Sequence, residues 1–214
     1  MNSPARKLGP RDRLIAALDD GLRTLFASPS ASRPTPGHPQ SAIEDPAARR
    51  HAAGLMRVNH AGEVCAQALY SGQALVARDR RTRDVLEVAA AEERDHLAWC
   101  ETRLNELDSR PSFLSPIWFA GSFALGVASG LAGDRWSLGF LVETERQVEH
   151  HLDNHLQQLP DQDQRSRAVV AQMREDEIRH GQSGKDAGGA ALPFVVRYAM
   201  KATATVMTRT AYWV

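Results

Sequence analysis

The chain has 214 residues, enough to bury one substantial core, and its 26 Lys plus Arg balance 26 Asp plus Glu. That balance leaves no global field drawing the protein toward nucleic acid, so no nucleic-acid partner is expected. Two cysteines, Cys65 and Cys100, are too few for a disulfide framework, a Cys-based zinc site or an iron–sulfur cluster, and both read as reduced core thiols in a cytosolic setting.

The N-terminus lacks the apolar run of a secretory signal and is expected to be untargeted. In RDRLIAALDDGLRTLF (11–26), Leu14, Ile15, Leu18, Leu22 and Phe26 share one side at helical spacing. This amphipathic helix fits either packing on the body or lying on a membrane. ASPSASRPTPGHPQS (27–41) has almost nothing to bury and is expected to be a flexible linker. The folded domain is placed at 46–214, with 1–45 as amphipathic helix plus linker.

From there the patterning is helical throughout, over 46–78, 82–108, 136–159 and 162–186, with further segments at 111–134 and 190–210. Short turns at RDRRT and PDQDQ make their flanking helices antiparallel neighbours, while the join between the second and third main helices is long. The expected fold is all-α: two helical hairpins closed into a four-helix bundle by a long crossover, with additional hydrophobic helices that associate with a membrane.

Residues 111–133, PSFLSPIWFAGSFALGVASGLAG, carry no charge and contain a small-xxx-small pattern in GVASG. The length just reaches the ~20 residues a spanning helix needs, but Pro111, Pro116 and the many Ser and Gly argue against a span. A helical pair is expected instead, capping the bundle and presenting Trp118, Phe119 and Phe123 to lipid or to a greasy ligand. An ordinary core hairpin is the competing reading.

The chemistry concentrates on the buried stripes. In 82–108 the stripe Leu86, Ala90, Glu93, Leu97, Cys100, Leu104 has a carboxylate at its middle, with His96 one turn on. An unpaired buried carboxylate costs several kcal/mol or more, so a cation is required nearby. REDEIRH (174–180) repeats the anomaly, with Glu177 and His180 on the face of Val170 and Met173. The other two main helices each carry one inward acid: Glu63, beside Ala66 and Tyr70, and Glu145, between Val142 and Val148.

One Glu-x-x-His pair is commonplace on a helix surface; four helices in order, each with a carboxylate on its apolar stripe, are not. The order Glu, Glu-x-x-His, Glu, Glu-x-x-His resembles the ligand pattern of ferritin-like dinuclear carboxylate proteins. On that pattern Glu63, Glu93, His96, Glu145, Glu177 and His180 are the metal ligands, with Glu93 and Glu177 bridging and Glu63 and Glu145 terminal. Two divalent cations are neutralised by four carboxylates, and oxygen donors with a few imidazoles suit iron or manganese. Asp176 is placed to accept from His96, and Glu92 from His180. His150 and His151, close to Glu145, are packing or proton-relay candidates. Asn59 and His60 either orient Glu63 or cap a helix start.

RVNHAGE (57–63), EERDHL (92–97), GSFALG (121–126), ETERQVEHH (143–151) and DEIRH (176–180) resemble the demethoxyubiquinone hydroxylase family over roughly 46–214. The resemblance implies an O2-dependent di-iron monooxygenase of ubiquinone biosynthesis. It would hydroxylate a polyprenylated methoxy-methyl-benzoquinol (demethoxyubiquinol) at its last unsubstituted ring carbon. Two iron ions per chain, an external reductant and the same six ligands are implied. So is a peripheral position on the cytoplasmic face of the cell membrane (matrix side of the inner membrane in a mitochondrion), among other ubiquinone-biosynthesis proteins. One position departs from the pattern: Leu152 follows the double His where some members carry Tyr, and no role of that Tyr transfers. The first 45 residues lie outside this resemblance.

The competing functions are a ferritin-like iron store or peroxidase and, from another class, a metal-free membrane scaffold. Storage predicts iron uptake far beyond two per chain. A rubrerythrin-like peroxidase normally brings a Cys-rich module that two isolated cysteines cannot form. A scaffold needs the buried carboxylates paired with arginines, and Arg94, Arg146 and Arg179 fall on other faces at helical spacing.

Overall fold

A computed structural model describes residues 9–38 and 43–214. Among these residues all regular structure is helical: α1 (Pro10–Phe26), α2 (Pro46–Val76), α3 (Arg80–Glu106), α4 (Ser115–Leu131), α5 (Asp134–Gln158), α6 (Gln164–Asp186) and α7 (Phe194–Ala211). Local chemistry sets the boundaries. Asp45 accepts from the backbone N–H of Ala47 and Ala48 ahead of Pro46, Asp79 accepts from Thr82, and Asp163 accepts from Ser166. The α2–α3 turn is fastened to the start of α5, where the Asp134 carboxylate accepts from the N–H groups of Arg78 and Asp79.

The α2–α3 and α5–α6 hairpins form the bundle, and the connection from Leu107 to Gly133 contains α4. The expected helical pair at 111–134 is therefore a single helix, because Pro111 to Leu114 form only a turn before α4 starts. It lies along α2 at backbone contact distance. A Cβ on Gly126 would come within 2.2 Å of the Leu69 carbonyl oxygen, and one on Gly72 within 2.5 Å of the Phe123 oxygen. The small residues that suggested a membrane helix pair thus serve α2 of the same chain. No helix among the described residues is long and apolar enough to cross a membrane.

Trp118, Phe119 and Phe123 are half-buried rather than presented to the outside. Phe119 covers Gly21 of α1, and the exposed apolar side chains of this region are Phe113, Ile117, Leu125 and Leu131. α1 packs on the body through its polar face: Asp20 accepts from Gln67 and Ser71 of α2 and pairs with Arg94 of α3. Its apolar stripe, Leu14, Ile15, Leu18, Leu22 and Phe26, consequently points outward.

The segment 27–38 is not a loose linker. Ser32 and Arg33 bond to Asp95, and Arg165 donates to the carbonyls of Pro36 and Gly37. The remainder of the expected linker, 39–41, falls outside the described residues. At the other end of the chain, Tyr212 sits against Gly54, its hydroxyl 2.7 Å from His51 Nδ1.

Two apolar layers fill the bundle. One contains Met56, Trp99, Cys100, Leu104, Leu152, Val170 and Met173; the other contains Leu69, Tyr70, Leu86, Ala90 and Leu141. Along every main helix the chemically active residues fall between these layers or at their edge. Cys65 and Cys100 are free thiols.

Candidate metal centre

Each bundle helix delivers its acid to one point because the acid takes a place on the apolar stripe and must follow it inward. Glu63, Glu93, Glu145 and Glu177 are each 2% exposed or less, and His96 and His180 lie with them. Two groups form. Ligand-capable atoms of Glu63, Glu93, His96 and Glu177 lie within 4.8 Å of one another, as do those of Glu93, Glu145, Glu177 and His180. Glu93 and Glu177 belong to both groups, so two neighbouring cation positions share two carboxylates.

Both imidazoles turn Nδ1 inward. His96 Nδ1 is 3.0 Å from Glu93, 3.3 Å from Glu177 and 3.4 Å from Glu63. His180 Nδ1 is 3.3 Å from Glu177, 3.4 Å from Glu93 and 3.6 Å from Glu145. Both turn Nε2 outward to an acid on the opposite helix: His96 to Asp176 at 2.9 Å and His180 to Glu92 at 3.0 Å. Each outer acid immediately precedes a shared glutamate, so one residue step on α3 or α6 supplies both an inner and an outer carboxylate.

Four buried carboxyls this close together cannot all carry charge without positive partners. Burial, reinforced by the charge of Glu93, pushes Glu63 well above the usual carboxylate range, and burial with the charge of Glu177 does the same to Glu145. Burial opposes charge on Glu93 too, but the Glu63 hydrogen bond and the two histidines outweigh it and hold this carboxyl low. Against the same burial, Glu93 and the surrounding acids raise His96 and His180. The cluster thus resists holding four bare carboxylates at once, and two divalent cations would supply positive charge while leaving both imidazoles free to ligate through Nδ1.

Glu145 Oε2 is buried with no hydrogen-bond partner, and Glu93 Oε1 and Glu177 Oε1 have an imidazole Nδ1 at 3.4 and 3.3 Å without a formed hydrogen bond. These converging under-satisfied oxygens, with two imidazoles backed by carboxylates, fit a dinuclear metal centre.

Other residues are distributed differently from their sequence-level expectation. His150 is exposed, and His151 lies tilted against His155 with ring centroids 3.9 Å apart; neither is among the groups that meet at the centre. His60 is buried with Nδ1 unpartnered, and α2 begins at Pro46, so neither it nor Asn59 caps a helix. Arg179 does not point away: it reaches both Glu92 and Asp176 and links the two outer acids. Tyr70, noted only as a core neighbour, donates its hydroxyl to Glu145 at 2.5 Å. Arg33, in the Pro/Ser-rich stretch, pairs with Asp95 and Asp176. Tyr70 was marked by a hydroxyl on a buried stripe; Arg33 had no periodic signal at all.

Fold and site together define a helical-bundle protein with buried Glu/His groups able to hold metal, consistent with the di-iron carboxylate class. Residues 50–211 match the family model described as ubiquinone biosynthesis protein COQ7, and the chain belongs to that family. It is 58% identical over 207 residues to the 3-demethoxyubiquinol 3-hydroxylase of Polynucleobacter necessarius, covering 96% of this chain and 99% of the relative. It is 57% identical to the proteins of that name from Ralstonia pickettii (94% and 98% covered) and Xanthomonas oryzae pv. oryzae (98% and 97%). The similarity thus extends well into the first 45 residues, beyond the limit set by the motifs alone.

Proposed function

We infer that this protein is a 3-demethoxyubiquinol 3-hydroxylase, an O2-dependent di-iron monooxygenase of ubiquinone biosynthesis. The observation that carries the reading is the overlap of two four-residue Glu/His groups in a chain similar over nearly its whole length to relatives of that name. Glu93 and Glu177, common to both groups, would be shared by two metals, with Glu63 and His96 holding one and Glu145 and His180 the other. Iron is the metal this chemistry needs, although manganese fits the same donors. When bound and reduced, the di-iron pair supplies activation of O2 for insertion of one oxygen atom into the quinol ring, the other leaving as water.

The chain's own residues prepare that chemistry. Asp176 and Glu92 accept from Nε2 of the two histidines, which fixes the tautomer with Nδ1 free and holds each ring in one orientation toward the glutamates. Tyr70 holds one oxygen of Glu145 and orients the other. Leu86, Leu141, Trp99 and Met173 pack the layers on either side and keep the four glutamates buried between them.

The substrate's tail requires an apolar approach. The exposed apolar side chains of α1, α4 and α7, among them Leu18, Leu22, Ile117, Leu125, Val195 and Tyr198, support a peripheral seat on a membrane, with the cytoplasmic face taken from the family resemblance alone. From there the ring enters near Glu63 and Glu145 while the polyprenyl tail stays along 111–134 and 190–210. On this reading 46–214 is the hydroxylase domain, and residues 9–38 of the segment before it are an arm laid over it.

The test is hydroxylation of demethoxyubiquinol by the iron-loaded protein, with a chemical reductant and isotopically labelled O2. One labelled oxygen in the product supports the reading; unchanged quinol, or label arriving from water, overturns it.

A further inference from the structure

Resting on the dinuclear reading, we propose that Arg33 is a positioning residue for the His96 half of the centre, and that the arm around it makes the two metal positions non-equivalent. The two halves are built alike at the inner level, but their outer acids differ. Asp176 Oδ2 faces His96 Nε2 at 2.9 Å and Arg33 Nη1 at 2.9 Å, and the Asp176 side chain is 1% exposed. Glu92, its counterpart for His180, is 31% exposed, and beyond the histidine its cationic partner is the exposed Arg179, which also reaches the other oxygen of Asp176.

Arg33 is itself locked. Its Nε donates to Asp95 Oδ2 at 2.7 Å, and the neighbouring Ser32 N–H donates to Asp95 Oδ1 at 2.6 Å. The guanidinium carbon lies 4.7 Å over the Trp99 ring, whose indole N–H donates back to the Arg33 carbonyl. The same indole stands 5.4 Å from the His96 ring. A planar guanidinium can hold two carboxylates on separate edges, which one ammonium cannot do with the same fixed geometry. Asp176 is thereby held in one orientation, and His96 with it.

The other half opens outward. A groove of about 600 Å³ lined by Val85, Val88, Ala89 and Ser183 reaches His180. A metal beside His96 would therefore have its histidine backed by a buried, cross-braced acid, and one beside His180 by a partly exposed acid. A fixed outer carboxylate raises ligand basicity and removes ligand disorder, and losing such a partner typically costs roughly 10–100-fold in metal affinity. The His96 position is the tighter of the two.

The experiment is anaerobic titration of the full-length apoprotein with Co(II), followed by the visible absorption of each bound equivalent. It compares wild type, Arg33→Gln, Arg33→Lys and Glu92→Gln, with circular dichroism to verify folding. In wild type two equivalents bind with distinct affinities. Arg33→Gln weakens the tighter one roughly 10–100-fold and shifts its absorption band while the weaker one is unchanged, and Arg33→Lys recovers part of the loss. Glu92→Gln affects the weaker equivalent instead. Equal loss of both equivalents in Arg33→Gln, or no change in either, overturns the proposal, since a simple structural clasp would do one or the other. Fewer than two equivalents in wild type would strike the dinuclear reading itself.

Discussion

The hydroxyl of Tyr70 donates to Oε1 of Glu145 across 2.5 Å, while the other oxygen of that carboxylate has no donor in the protein. One side of Glu145 is thus spoken for and the other is free to face a cation. Tyr70→Phe keeps the ring in its apolar layer and removes only the hydroxyl. The expected variant still binds two irons but turns over roughly 10–100-fold more slowly, because Glu145 loses its orientation. Parallel iron analysis and hydroxylation assays check this, and an unchanged rate would mean the hydroxyl only fills space.

Gly126 sets the seat of α4 on α2. A methyl group there would meet the Leu69 carbonyl at 2.2 Å, backbone that cannot swing aside, whereas one on Gly121 meets nothing within 4 Å. Gly126→Ala should cost about 1–3 kcal/mol and expose the 107–133 connection to protease. Gly121→Ala should be neutral or slightly stabilising, as expected for Gly→Ala at an unobstructed helix position. Urea denaturation with limited proteolysis distinguishes the two.

His151 and His155 lie ring against ring on α5, tilted by 57° and outside the Glu/His groups. Burial lowers His151 to about 4, and burial with the charges of His151 and His51 lowers His155 to about 2. Both folded-state values lie below the unfolded value of about 6.5, so as pH falls through 6.5 the unfolded chain takes up protons that the folded one refuses. Stability is full above pH 6.5 and falls below it. For His155 the loss between pH 7.5 and 5.5 is about 1 kcal/mol. In metal-loaded protein, His155→Leu should flatten the slope of denaturation free energy over that interval relative to wild type; an identical slope would place the histidine in water.

Membrane seating should depend on residues that differ from those the sequence suggested. Replacing Ile117 and Leu125 by Ser should reduce cosedimentation with anionic vesicles, because both are about half exposed or more. Replacing Phe119, packed on Gly21, should instead loosen α1. Vesicle binding that ignores the Ile117/Leu125 change would remove α4 from the contact surface.

Helix positions were legible because the apolar stripes repeat at 3–4 residues: 46–78 and 162–186 were expected, and Pro46–Val76 and Gln164–Asp186 are observed. The six inward residues were legible for the same reason, since a charge on such a stripe is visible without coordinates. What periodicity misses is contact between segments. Arg33 sits among prolines and serines with no stripe to mark it, and its value lies in Asp95 and Asp176, distant in sequence. Arg179 falls on an outer face by helical angle, yet its long stem reaches back to Glu92 and Asp176. In GVASG, small residues announce a close helix approach without naming the partner, which proved to be α2.

The central claim is a two-metal centre bridged by Glu93 and Glu177, and iron stoichiometry after anaerobic reconstitution tests it most directly. Wild type should saturate at about two ferrous ions per chain, and Glu177→Ala, lacking a carboxylate common to both positions, should retain neither tightly. Saturation at two with an unaffected Glu177→Ala variant, or uptake far beyond two as in a storage protein, would contradict it.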